Sequence, residues 1–161
     1  MEPTIRQYRA ADEAAVVALA LRAWAPVFAS LRAVLGNELD ERMHGSDWRE
    51  YQRTSVEGTL ANDDMHVWVA EDDGTVVAFM AVTLHTDDSM GELWMLAVDP
   101  DAQGRGLGTR LTDLATDWMR DAGMRVAMIA TGADPGHAPA RRTYEKAGYT
   151  ALPGVQYFKA L

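Results

Sequence analysis

The sequence predicts an α/β (α+β) fold: a mixed, mostly antiparallel β-sheet flanked by helices on both faces. Three observations predict it. Short alternating or apolar runs of strand length recur along the chain. Amphipathic stretches with apolar residues at helical spacing lie before and after a central block of strands. Within that block, Asp72–Asp73–Gly74–Thr75 is a hairpin turn between two apolar runs. With 161 residues and no repeat, low-complexity tract or Ser/Pro linker, the chain reads as a single domain, residues 1–161.

Thr4–Ile5–Arg6–Gln7–Tyr8 alternates and reads as a first strand. Asp12 and Glu13 then open a helix whose apolar face is Val16, Leu19, Ala20, Ala23 and Trp24, and Pro26 is expected to end or kink it. A second helix is expected over roughly Ser46 to Leu60. The period then changes to that of strands: His66 to Glu71, Val76 to His85, and Glu92 to Val98 closed by Asp99–Pro100. A Gly-rich turn leads into a helix striped by Leu111, Leu114, Ala115, Trp118 and Ala122, with Gly123 as its stop. Arg125 to Ala130 is a short strand. Pro139 fits the start of a last helix that Gly148 ends, and Tyr149 to Leu161 is expected to supply a last strand pair.

Composition narrows the function classes. The hydrophobic fraction of 48% is that of a globular chain. Cysteine is absent, which removes disulfides, thiolate metal sites and a cysteine nucleophile. The net charge of −9 argues against nucleic acid as a partner and would draw cationic substrates such as polyamines, basic peptides or aminosugars, although acidity also serves solubility alone. No apolar run is read as reaching the roughly 18 residues of a membrane span. The N-terminus has no apolar secretion core, so the expected location is the cytoplasm and no membrane partner is expected. His44, His66, His85 and His137 show no ligand spacing, so no metal is expected.

The chemistry concentrates in Gln103–Gly104–Arg105–Gly106–Leu107–Gly108, which lies between a strand and a helix start. The first N–H groups of a helix lack partners and its dipole adds partial positive charge, so the turn is an anion site. Arg105 adds a candidate charged contact. A nucleoside triphosphate would require Gly-Lys-Ser/Thr, which does not follow. A dinucleotide would require G-x-G-x-x-G. The third glycine falls on Thr109 in one register and on Leu111 in the other, so both fail. Coenzyme A, which also carries a pyrophosphate, is the remaining cofactor.

Val98–Asp99–Pro100 followed by Gln103-x-x-Gly106-x-Gly108 resembles the acetyl-CoA signature of the GNAT family of N-acetyltransferases. Ala140 and Tyr144–Glu145–Lys146–Ala147–Gly148–Tyr149 resemble that family's downstream segment, and the element order matches over nearly the whole chain. The resemblance implies direct transfer of an acetyl group from acetyl-CoA to an amine. It implies pyrophosphate on the backbone of Gln103, Gly104, Arg105, Gly106, Leu107, Gly108 and Thr109. It also implies the pantetheine arm along Leu96, Ala97 and Val98, where the neighbouring strand splays away. Tyr144 matches the family's general-acid tyrosine, and Glu92 stands where the family often places a carboxylate base. His85, Asp87 and Asp88 are rival bases on the adjoining loop. His137 stands where the family often has an asparagine on the pantetheine arm.

The acceptor is expected between the first two helices and the loop at Thr86–Ser89. There Trp24, Phe28, Trp48 and Tyr51 offer aromatic faces, and Asp40, Glu41, Asp87 and Asp88 offer negative charge. This favours a small cationic amine such as an aminosugar antibiotic or a polyamine. A peptide or protein amine, a longer acyl donor and a catalytically silent acetyl-CoA sensor are the alternatives. Many relatives form dimers, and a homodimer is the corresponding expectation.

Overall fold

The computed structural model describes residues 1–161. Five strands, β1 (Thr4–Gln7), β2 (His66–Asp72), β3 (Thr75–His85), β4 (Met90–Val98) and β5 (Val126–Met128), form one sheet in sequence order. The first four pair antiparallel and β5 joins β4 in parallel. The β2–β3 hairpin closes with Asp73 and Gly74 both at positive φ, the geometry of a tight primed turn. Five helices cover the sheet: α1 (Glu13–Leu35), α2 (Asn37–His44), α3 (Trp48–Ala61), α4 (Leu107–Asp121) and α5 (Ala138–Lys146).

The strands' period of two sends alternate side chains to two separate cores. On one face Trp68, Ala70, Ala78, Met80 and Val82 pack against Leu107, Leu111, Ala115 and Met119 of α4. On the other, Val69, Phe79 and Ala97 pack against Val16, Val17, Leu19 and Ala20 of α1 and Val56 of α3. Fully burying a side chain such as Phe79, Met80 or Leu111 contributes about 1.5–3 kcal/mol relative to exposure.

One irregularity positions the site. Val82 pairs with Leu93 while Ala81 pairs with Met95, so Trp94 is an extra residue bulged out of β4. The bulge places Leu93 in the α4 core and Ala97 in the α1 core, although their spacing of four would otherwise put them on one face. Pairing of β4 with β5 covers only Met90 to Glu92, and β4 has no strand neighbour on that edge from Leu93 to Val98.

Four expectations are corrected. Pro26 lies inside α1, which runs on to Leu35. Beyond it, buried Phe28 and a bond from Ser30 to Asp134 anchor the helix, and these contacts outweigh the backbone bond that proline removes. Helix α2 lies between Gly36 and Gly45 where no element was expected; its sequence is too polar to show an apolar stripe. The tail after Tyr149 forms no strand. Residues 150–161 make no backbone–backbone hydrogen bond, and Pro153 cannot donate to a ladder. Finally, the stretch Ala10–Leu35 is long and apolar enough for a membrane span by length and composition. In the fold, however, its Val16–Ala20 face lies on the sheet and Arg22 pairs with Asp99 and Asp101.

Candidate active site

The end of β4 and the start of α4 make the anion site. Asp99 caps the turn, its carboxylate accepting from the Asp101 N–H at 2.9 Å, and Gln103 Nε2 donates to the Val98 carbonyl at 3.0 Å. Gly104 and Gly106 then take left-handed conformations, φ +77° and +75°, which favour glycine. Nothing lies within 4 Å of where a Cβ would stand at either one, so the conformation rather than crowding requires glycine, and the space above the turn is open. Gly106 is the N-cap of α4 and offers no side-chain cap, and the first turn holds no acidic residue. The N–H groups of Leu107, Gly108 and Thr109 are therefore free for an anion.

These residues line one cleft of about 560 Å³. Leu96, Ala97 and Val98 form its strand wall. Gln103, Gly104, Gly106, Leu107, Gly108 and Thr109 form its end, and His137, Ala140 and Tyr144 form the α5 wall. Trp24 of α1 lines the opposite side. Arg105 does not line it: its guanidinium is held 2.8 Å from Asp72 on the hairpin, leaving only its backbone near the turn.

Tyr144 packs against the α4 core and lines the cleft. Burial pushes its phenol up to about 12, and Tyr149 beside it adds to the shift. Tyr149 itself bolts α4 to the segment after α5. Thr116 donates to the Thr112 carbonyl, so Tyr149 donates to the Thr116 oxygen, at 2.6 Å.

His137 is held from behind. One ring nitrogen, Nδ1, bonds Asp134, whose other oxygen accepts from Ser30 of α1 at 2.6 Å and from the Gly136 N–H at 3.1 Å. Burial pushes Asp134 up, but the bonds from Ser30 and His137 outweigh it and hold the carboxyl below its ordinary value. Arg141 ties the same loop through the carbonyls of Gly132 and Asp134. A Cβ at Gly136 would stand 2.6 Å from that of Ser30, so the loop can meet α1 only with glycine there.

Glu92 lies elsewhere. It lines a second cleft, of about 620 Å³, with Asn62–His66, Thr83–Thr86 and Trp94. Trp94 alone lines both clefts, and its indole N–H donates to Thr59 at 3.2 Å. The Glu92 side chain is 10% exposed and bonds His85 Nε2 at 2.7 Å.

Of the residues expected to meet the acceptor, all but Trp24 also lie outside the first cleft. Phe28 is buried, stacked on Trp48 at 4.6 Å and edge-on to His44 and Tyr51. Arg49 already covers the Trp48 ring at 4.7 Å. The cluster is thus satisfied internally and offers no open cage to a cation. Asp40 is committed to His44 and Glu41 to Arg32. Asp87 and Asp88 are exposed on the β3–β4 connection and line neither cleft.

Sequence reading missed Arg142 and Lys146, one helical turn apart on α5, both lining the first cleft. Their i, i+4 spacing beside Tyr144 was the available signal. It also missed Trp94, because a bulge leaves no mark in an apolar run.

Comparison with known proteins agrees with this geometry. Residues 33–149 match the acetyltransferase (GNAT) family. The chain is 34% identical over 156 residues to a mycothiol acetyltransferase of Beutenbergia cavernae, covering 88% of this chain and 50% of that protein. It is 31% identical to the mycothiol acetyltransferase of Streptomyces bingchenggensis, covering 91% and 42%. The chain thus spans about half the length of these curated relatives. Among solved structures, aminoglycoside N-acetyltransferase AAC(6')-Iy with a CoA-based bisubstrate analog superposes with TM-score 0.68 at 16% identity, covering 100% of this chain and 99% of that one. The PaiA N-acetyltransferase of Thermoplasma acidophilum in complex with coenzyme A superposes with TM-score 0.64 at 18% identity, covering 91% and 89%. At such identities these structures speak for the fold alone. Acetyl-CoA is the acyl donor of the family, and the free N–H groups at α4 and the unpaired β4 edge suit it. The chain belongs to the GNAT family of acetyltransferases.

Proposed function

We propose that the protein, as one domain over residues 1–161, transfers an acetyl group from acetyl-CoA directly to the primary amine of a small cationic acceptor. One observation carries the reading: the uncapped N-terminus of α4 and the unpaired half of β4 open into a single cleft that also holds Tyr144. When bound, acetyl-CoA supplies an activated acetyl thioester.

The protein's own groups divide the remaining work. The backbone of Gln103 to Thr109, Arg105 included, holds the pyrophosphate. Arg142 and Lys146 add positive charge for a further phosphate. The β4 edge at Leu96, Ala97 and Val98 aligns the amide-bearing arm, and His137 faces that arm from α5. A β4 N–H in the same stretch stabilises charge on the carbonyl oxygen. Tyr144, kept protonated by burial, donates to the departing sulfur. An alkyl amine has a pKa near 10.4 and arrives mostly protonated. Glu92 takes that proton, with Trp94 the residue common to its cleft and the donor cleft.

A cationic acceptor is supported by the charge of −9 and by Asp63, Asp64 and Glu92 lining the second cleft with no Lys or Arg. Trp24 walls the approach. Asp87 and Asp88 add only long-range attraction, and Phe28 acts through the stack that supports Trp48. Aminosugars, including aminoglycoside antibiotics, and polyamines fit this chemistry, and a mycothiol-type acceptor is suggested by the relatives' names. Acetyl-CoA is an intracellular metabolite, which supports action in the cytoplasm. A homodimer is part of the reading, because Leu152, Val155 and Tyr157 are exposed on the unpaired tail; light scattering after gel filtration tests it.

The test of function is thiol release from acetyl-CoA over a panel of aminoglycosides, polyamines and peptides. Amine-dependent release with an N-acetylated product supports the reading. Binding of acetyl-CoA without release for any amine would favour a sensor, and faster release with longer acyl groups would change the donor.

A further inference from the structure

The geometry points to His85 as a positioning residue that holds the Glu92 carboxylate aimed for amine deprotonation. This rests on the reading of Glu92 as the base. The two residues lie on adjoining strands. Thr83 pairs with Glu92, and His85 stands two residues beyond Thr83, so His85 and Glu92 are diagonal neighbours on one face. His85 ends β3, just before the tight connection through Thr86–Asp88 to β4.

The contact has a direction. Ionised Glu92 can only accept, so His85 Nε2 carries the proton and donates to Oε2 across 2.7 Å. One consequence follows. Oε2 is committed, which leaves Oε1 to take a proton from the substrate. Exposure is unequal: the Glu92 side chain is 10% exposed and that of His85 45%. The imidazole therefore joins a nearly buried base to an open surface.

The surroundings leave this task to His85. The other titratable residues of the cleft are Asp63 and Asp64 from the α3–β2 connection and His66 of β2, whose ring lies 4.5 Å from that of Trp118 on α4. Neither lysine nor arginine lines the cleft, so no other basic side chain is placed to hold the Glu92 carboxylate. In the reaction the ammonium proton passes to Glu92 Oε1 and the nitrogen lone pair is freed. His85 forms no bond to substrate, and Glu92 later returns its proton to water in the cleft.

The experiment compares His85→Leu, His85→Gln and His85→Ala with Glu92→Gln in steady-state kinetics. His85→Leu removes the donor and is expected to lower kcat/KM for the amine roughly 10- to 100-fold, the range for one hydrogen bond to a charged group. KM for acetyl-CoA stays near wild type. His85→Gln retains an N–H donor and is expected to recover most of the rate, and added imidazole to restore part of the rate of His85→Ala. A slow Glu92→Gln beside a His85→Leu of wild-type rate would overturn the positioning role alone. A Glu92→Gln of wild-type rate would overturn the base as well. If His85→Leu does not fold, absence of imidazole rescue in His85→Ala overturns the proposal.

Discussion

The two clefts that meet at Trp94 are made of different material. The first cleft, proposed to hold the donor, is built largely on backbone: helix N–H groups left free by Gly106, a strand edge left unpaired beyond Glu92, and side chains that steady the frame from behind, such as Gln103 on Val98 and Asp134 on His137. The second cleft is largely side chain: His85, Glu92, Asp63 and Asp64, brought together from three separate segments. Backbone recognition suits a ligand that stays the same, since most substitutions leave it intact. Side-chain recognition suits an acceptor that varies between relatives, since each residue can change alone.

That contrast can be broken at either end. The largest effect is expected from Gly106→Glu, which forces a side chain into a left-handed position and adds negative charge over the pyrophosphate site; acetyl-CoA binding measured by calorimetry should be abolished. Glu92→Gln should lower kcat/KM for the amine by about 10²- to 10⁴-fold while calorimetry finds acetyl-CoA affinity unchanged. A matching loss of cofactor affinity would mean that the clefts are not separable.

Tyr144→Phe should lower kcat by roughly 10- to 100-fold, the scale of one hydrogen bond to a developing charge, and leave cofactor affinity nearly intact. Because burial holds this phenol near 12, it stays protonated through neutral and mildly alkaline pH. The wild-type rate should therefore show no alkaline limb from Tyr144 below about pH 11.

The smallest effect is a control away from both clefts. Arg6 donates two hydrogen bonds to Asp12, at 2.8 and 2.9 Å, and these, stronger than the opposing effect of burial, hold its carboxyl below the ordinary value. The stability this provides is present above the unfolded-state value and is lost as pH falls through the lower folded-state one. Asp12→Asn should lower the Tm at pH 7 with kinetics unchanged, and the gap to wild type should narrow below about pH 4.

The same contrast explains what the sequence made legible. Gly104 and Gly106 declare themselves because only a backbone demand explains them, and Tyr144 stands out because Tyr144–Tyr149 resembles the family's downstream segment. The hairpin at Asp73–Gly74 and the alternation of β2 and β3 were equally open to reading. Features that depend on convergence were not. The separation of Glu92 from the donor cleft depends on Trp94 bulging out, and an apolar run cannot announce an extra residue. Phe28 looked available to a cation because its stack with Trp48, and Arg49 above that ring, join different helices. Pro26 was read by its local preference, whereas Ser30 and Asp134, 104 positions apart, carry the helix past it. Arg105 was read by its charge, and Asp72 had already claimed it.

The most direct measurement of the central claim is thiol release from acetyl-CoA followed with and without each amine of the panel, alongside mass analysis of the product. The account predicts release that requires a cationic primary amine and matches N-acetylated product one for one. Release at the same rate without amine, or tight acetyl-CoA binding with no release for any amine, would contradict it.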